Sequence, residues 1–540
     1  MDAKTQKYDR QLRLWGSSGQ EALESAHILL INATAVGCEI LKNLVLPGIG
    51  HFTVVDQGTV VQSDIGSNFF LDSESLGKSR AERACELLGE LNEDVQGHWV
   101  AKDIISILAE NPRYLAQFSM VIATDVTRQT AEKLGALCWV NGQDATIDNE
   151  HNSSPAGKKE TMFVWVKTVG LVGTARFAVP EHTIVETHPD NVADLRIDTP
   201  FPELVTYAKS FDFNTQDSLE FGHIPYVAIL LKYMEEWKQE HGGEIPSTYA
   251  EKNQLKANIR AGMRSADDEN FDEAIDSVLR SCQPTVVPND IKDLLKDPKC
   301  ENLTAESTNF WILARAVRDF VNDQEKSAGL LPLSGTIPDM KAQTNSYVTL
   351  QSIYKAKAKR DVQEISKIVD TLLESLGLAS GSISHQEIES FCKYSAFLRV
   401  IRYRSIEQEY HQPKTTQIAS WLSDPDSVFP YYVLLRASDT FYDDHGRYPG
   451  EGENWEEDVD PLHTNVTTLL QSWGIDTDAV SKDVTHEICR FGNGAIHNIA
   501  SFMGGVVSQE TIKLITRQYI PLNNTFIFDG ARSVSAVFAV

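Results

Sequence analysis

Short apolar runs alternating with helical stretches limit this chain more than any other feature. HILLIN (27–32), HFTVVD (51–56) and SMVIATD (119–125) are continuous and rich in branched side chains, as strands buried on both faces are. Between them GCEILKNLVL (37–46) and GKSRAERACELLGELN (77–92) carry helical spacing, the first stopped by Pro47 and Gly48. HWVAKD (98–103) adds another strand. This rhythm predicts an α/β fold built on an open, mostly parallel, Rossmann-like sheet. Ahead of it, Tyr8, Leu12 and Trp15 mark a helix that breaks at a glycine before a second short helix.

The texture then changes. Residues 141–160 are polar and read as a surface loop, and the Asn152-Ser153-Ser154 sequon within them carries no meaning in the cytosol. Residues 161–179 return to strand, and from about residue 186 to 478 long helical segments dominate: 224–241, 309–322, 348–376, 386–409 and 429–445. A helix at 504–518 and strand-like 523–530 and 534–540 close the chain. The expected organisation is a split α/β domain, 1–180 plus 481–540, holding a mainly helical insert at 181–480. No solenoid period is present.

Composition removes several classes. A chain of 540 residues with 42% hydrophobic and 23% charged residues is globular and long enough for two to four domains. A formal charge of −27 repels phosphate backbones and anionic lipid, so neither nucleic acid nor membrane is an expected partner. No run approaches the roughly 20 apolar residues of a membrane span, and the charged first twenty residues are no signal peptide. An intracellular, cytoplasmic and nuclear protein is expected. The 7 cysteines, Cys38, Cys85, Cys138, Cys282, Cys300, Cys392 and Cys489, are scattered without C-x-x-C spacing, so neither a disulfide framework nor a thiolate zinc site is expected.

The first strand-to-helix turn is where an α/β nucleotide site places glycines, so that backbone and helix N-terminus can approach phosphate. Here it reads Asn32-Ala33-Thr34-Ala35-Val36-Gly37, and only the last glycine remains. Asp56 ends the second strand where a ribose-binding carboxylate belongs. The turn fits a scaffold that has lost its ligand better than a working nucleotide site, and a dehydrogenase is excluded.

At this point longer strings carry a resemblance. KYDRQLRLWG (7–16), ILKNLVLPGIG (40–50), SNFF (67–70), LGKSRAE (76–82) and GGVVSQETIKLIT (504–516) resemble the adenylation domain of ubiquitin-like-modifier activating enzymes. DLRIDTPFPEL (194–204), FWILARAVRDF (310–320), GTIPDM (335–340) and FLRVIRYRS (397–405) resemble, more narrowly, the regulatory-subunit family of the Nedd-type modifier's activating enzyme.

The resemblance implies a heterodimer. The catalytic partner subunit would hold ATP and magnesium and the thioester-forming cysteine, and the pair would load a Nedd-type modifier for neddylation of cullins. It also implies that this chain's own nucleotide site is degenerate. The family's glycines have become Asn32, Thr34 and Ala35, the phosphate-gripping arginine falls at Ser67, and Lys78 and Asp125 match in type only. Arg10 would act in trans, reaching the partner's ATP phosphates as an arginine finger. The residue reading alone leaves Arg10 as a surface cation beside Asp9 or Glu21, with Arg13 its nearest competitor. No catalytic cysteine is expected: Cys282 ends a helix, Cys392 lies within one, and neither these nor Cys300 has an obvious activating neighbour. Gly335, Thr336, Ile337, Pro338 and Asp339 suit a protruding partner-binding loop or an ordinary turn. His223 is read from the residues alone as a cap or a satisfied core histidine, and the resemblance implies a partner contact. Two rival functions stay open, a self-sufficient homodimeric adenylating enzyme using Asp56, Lys78 and Asp125, and a non-catalytic signalling adaptor.

Overall fold

The computed structural model describes residues 3–141, 161–452 and 454–540. The surface-loop reading of 141–160, with its sequon, falls outside them apart from residue 141. The apolar runs form β1 (His27–Ile31), β2 (His51–Val55), β3 (Gln96–Val100) and β4 (Met120–Thr124). The stretch 161–179 folds as a hairpin, β5 (Met162–Val169) and β6 (Val172–Ala178). Two short strands, β7 (His182–Ile184) and β8 (Arg399–Ile401), pair separately, and β9 (Thr525–Asp529) and β10 (Val534–Phe538) end the chain.

The eight-stranded sheet runs β10-β9-β6-β5-β4-β1-β2-β3. From β3 to β5 every pairing is parallel, and β6, β9 and β10 add antiparallel strands at one side. Chain order reverses between β1 and β4, which opens a crevice at their carboxyl ends. The Ala35–Val45 helix covers the sheet over that crevice, buried along nearly its whole length. The His497–Thr516 helix packs against it so closely that a Cβ on Gly504 would lie 2.6 Å from the Cβ of Glu39. The expected break in the first helix is present: Gly16, at φ 67°, interrupts Asp9–Glu24.

The described residues form two compact units, one running to Ile184 and resuming at Val400, the other Val185–Arg399. The second unit is helical, its core built from the Tyr226–Glu240, Glu269–Ser281 and Thr344–Ser375 helices around the fully buried Tyr354. It ends well before the expected boundary at 480. The Phe429–His445 and Val459–Ser472 helices bury Phe429, Val433, Leu462 and Val466 in one cluster with Ile527, Phe538 and Val540, so they belong to the sheet unit. The expected 386–409 helix is also divided, into His385–Lys393 and Ile406–His411 with β8 between. Branched Val400 and Ile401 take strand geometry there, and Ser405 caps the second helix by accepting from Gln408 N at 3.0 Å. No helix among the described residues is long and apolar enough to cross a membrane.

Candidate functional site

The crevice beyond β1 and β4 is a cavity of about 530 Å³, lined among others by Thr34, Ser67, Arg80, Asp125, Lys167 and Tyr448. Its volume falls within the ordinary range for a small-molecule site, roughly 300–1,000 Å³. The fate of each nucleotide-binding position is decided by what the chain's own atoms already occupy.

Thr34 caps the Ala35–Val45 helix, its Oγ1 accepting from Gly37 N at 3.2 Å. That N–H is one of the donors a phosphate would use, so the helix N-terminus is satisfied internally. The same hydroxyl donates to Thr124 Oγ1 at 2.8 Å. Asn32, at φ 64°, sends Nδ2 to the carbonyls of Thr124 and Asp125, both at 2.9 Å, and so ties the ends of β1 and β4 together. Gly37 keeps a packing role, because a Cβ there would meet Leu30 Cδ1 at 2.9 Å and Asn32 O at 3.1 Å. Its retention is explained without any ligand.

Asp56 is 1% exposed and engaged on both oxygens. Oδ2 accepts from Ala33 N at 2.8 Å and Arg80 Nε at 2.6 Å, while Oδ1 accepts from Gly58 N at 2.7 Å and Arg80 Nη2 at 3.2 Å. A ribose hydroxyl would have to displace one of these. Arg80 also reaches Asp64 at 3.2 Å. Ser67 turns its hydroxyl back onto Ser63 O at 3.1 Å and offers no cation. Nucleotide does not fit this arrangement.

Lys78 is exposed and lies outside the cavity lining, whereas Arg80, which sequence reasoning passed over, is part of it. Lys167 of β5 also lines the cavity and is ion-paired to Asp439. Asp125, at φ 48°, is exposed and lines the cavity, and partial desolvation by the surrounding chain raises its carboxyl above the usual range. Among the described residues no three His, Cys, Asp or Glu side chains are grouped to hold a metal ion. Asp125 therefore stands as a single carboxylate, without a ready-made protein cage for a cation around it.

The remaining candidates are dispersed. Arg10 is exposed and makes no ion pair among the described residues, whereas Arg13 pairs with Asp9 at 2.9 Å. His223 bonds the carbonyl of Leu219 through Nδ1 at 2.7 Å, the geometry of a local cap. The 335–340 segment does not protrude as a whole. Gly335 is buried, where a Cβ would meet that of Ala358 at 2.8 Å, and Ile337 is buried in the helical core. Thr336 and Pro338 are half-buried, and Asp339 alone is exposed. All seven cysteines are buried. Burial pushes the thiols of Cys85, Cys282 and Cys300 up to about 11, those of Cys38 and Cys489 up to about 12, and those of Cys138 and Cys392 higher still.

Residues 8–218 match the ThiF family, which agrees with the α/β sheet and its crevice at the β1/β4 switch. The class is that of the ThiF-type adenylation fold. Full-length relatives narrow it. The chain is 43% identical to the NEDD8-activating enzyme E1 regulatory subunit of Danio rerio and 44% identical to that of Xenopus laevis, covering 99% of this chain and 98% of each relative. The Saccharomyces cerevisiae counterpart is 25% identical across 99% of this chain and its own full length. This chain belongs to the family of NEDD8-activating enzyme E1 regulatory subunits.

Proposed function

We propose that this chain is the regulatory half of a heterodimeric enzyme that activates a NEDD8-type modifier, and that its own adenylation site is inactive. The observation that carries the reading is the self-satisfied crevice: Thr34 caps the phosphate-facing helix, and Asp56 is held by Arg80 and two backbone N–H groups. The partner subunit then supplies ATP, magnesium and the cysteine. The modifier's C-terminal carboxylate attacks the α-phosphorus, pyrophosphate leaves, and the partner's thiolate displaces AMP to give a thioester. A buried thiol raised to about 11 or 12 is a poor nucleophile at neutral pH, which supports leaving that step to the partner.

Arg10 is this chain's contribution to the adenylation step. Exposed and free of ion pairs among the described residues, it is available to a neighbouring subunit's phosphates. Its guanidinium would neutralise charge that grows on the transferring group. Replacing it with alanine should leave heterodimer assembly intact and slow modifier-dependent pyrophosphate exchange by roughly 10- to 150-fold, the equivalent of ~1.5–3 kcal/mol. Arg10→Lys should recover part of the rate. Exchange by rigorously partner-free protein would overturn the reading, and an unchanged rate for Arg10→Ala would move the role to another cation, with Arg13 next.

A further inference from the structure

Losing nucleotide has not closed the crevice, and what remains has a different electrostatic character. An anion would find little there. The Gly37 N–H is capped by Thr34, Arg80 is engaged by Asp56 and Asp64, and Lys167 is paired with Asp439. The one charge left without a partner is negative: the carboxylate of Asp125 has no ion pair or side-chain hydrogen bond among the described residues, and it lines the cavity. The walls include Val36, Val61, Val126, Val166, Leu435 and Ile488. An unpaired carboxylate in a cavity of about 530 Å³ whose lining sets these apolar side chains beside polar ones such as Thr34, Ser67 and Ser438 is complementary to a positive head on an aliphatic stem.

We propose that the disused nucleotide crevice accepts a cationic group, an ammonium or guanidinium on an aliphatic stem, with Asp125 as its counter-ion. The stem lies along the valine and leucine side chains of the lining, and the head pairs with Asp125. Such a group arrives either on a free alkylamine or as the tip of a Lys or Arg side chain from another polypeptide; the recognition chemistry is the same. This inference does not depend on the regulatory role, because it concerns only what the crevice of this chain holds.

The test is calorimetric titration of the full-length chain with agmatine, and separately with a blocked pentapeptide bearing one central arginine. Magnesium chloride and magnesium-ATP serve as comparison titrants. Saturable binding of agmatine alone identifies a small amine, of the peptide alone a side chain, and of both the shared chemistry. Each supports the proposal if Asp125→Asn weakens binding by roughly 10- to 100-fold. Asparagine is a suitable replacement because it accepts the positive φ of this position, and Asp125→Glu should restore part of the affinity. No saturable binding of either probe, or equal binding by Asp125→Asn, would overturn it. So would Asp125-dependent binding of magnesium alone, which would make the carboxylate a metal remnant. Magnesium-ATP binding would instead count against the inactive-site reading above, leaving the Asp125 comparison to decide this one.

Discussion

At the scale of single residues, the site was legible where side-chain type alone decides chemistry. Asn32, Thr34 and Ala35 where the resembled family has glycines, and Ser67 where it has a guanidinium, already argue on paper against a phosphate grip. What sequence could not supply was the use to which the replacements are put. Thr34 becomes the helix cap and Asn32 a tie between strands. Lys78 and Arg80 stand two residues apart, and only the start of the Arg80–Gly89 helix decides which cation lines the cavity. The useful sequence signal was Asp56 itself, since a carboxylate this buried requires a cation nearby. Removing it tests whether the crevice is now structural. Asp56→Ala leaves two backbone N–H groups unpaired and the one-fifth-exposed Arg80 with Asp64 as its remaining partner, and should cost roughly 2–4 kcal/mol by urea unfolding. The Asp56→Ala/Arg80→Ala double substitution should cost less than the sum of the two singles. Strict additivity would mean that the pair contributes nothing of its own.

At the scale of elements, periodicity located the strands and several helices well. β1, β2 and β4 lie within their apolar runs, and the 309–322 and 429–445 helices coincide with the expected spans. The misread elements share a physical cause. A helix pattern says that one face is buried but not against what, so Phe429–His445 read as part of the insert although it packs with β9 and β10. The 386–409 stretch failed because its strand is only three residues long, too short for alternation to register. The adjacent glycines of GGVV give the element-scale prediction. Gly504 is buried where a Cβ would meet Glu39 at 2.6 Å, while Gly505 is exposed with nothing within 4 Å. Gly504→Ala should force the His497–Thr516 and Ala35–Val45 helices apart and lose about 1–3 kcal/mol of unfolding free energy. Gly505→Ala should instead gain about 0.5–1 kcal/mol, because the unfolded glycine loses conformational freedom and no contact is strained. Matched effects from the two substitutions would refute the close approach as the reason for the first glycine.

Across the whole molecule, the chain keeps an adenylation fold while its thiols are withdrawn from solvent. The cysteines offer a direct measure of that withdrawal, because their environment can be read in solution without a partner. All seven are buried, and burial disfavours the thiolate. With folded-state values of about 11 to 12 for Cys38, Cys85, Cys282, Cys300 and Cys489, almost no thiolate exists near pH 8. A disulfide-exchange reagent at about pH 8 should therefore find no fast-reacting thiol in the folded chain, and all seven should react once guanidinium unfolds it. The same shifts set a pH dependence whose sign is fixed. Each thiol has a higher folded than unfolded pKa, so its stabilising contribution is complete below the unfolded value, near 8.5, and is lost as pH rises through the folded one. Over that window, roughly pH 8.5 to 12, each thiol that ionises only in the unfolded chain should lower stability by about 1.4 kcal/mol per pH unit. Denaturant midpoints measured across the alkaline range should fall, and replacing Cys38 with alanine should make the fall shallower at some cost in packing at neutral pH. A single thiol reacting rapidly in the folded chain, and modified stoichiometrically by the activated modifier, would return thioester chemistry to this subunit.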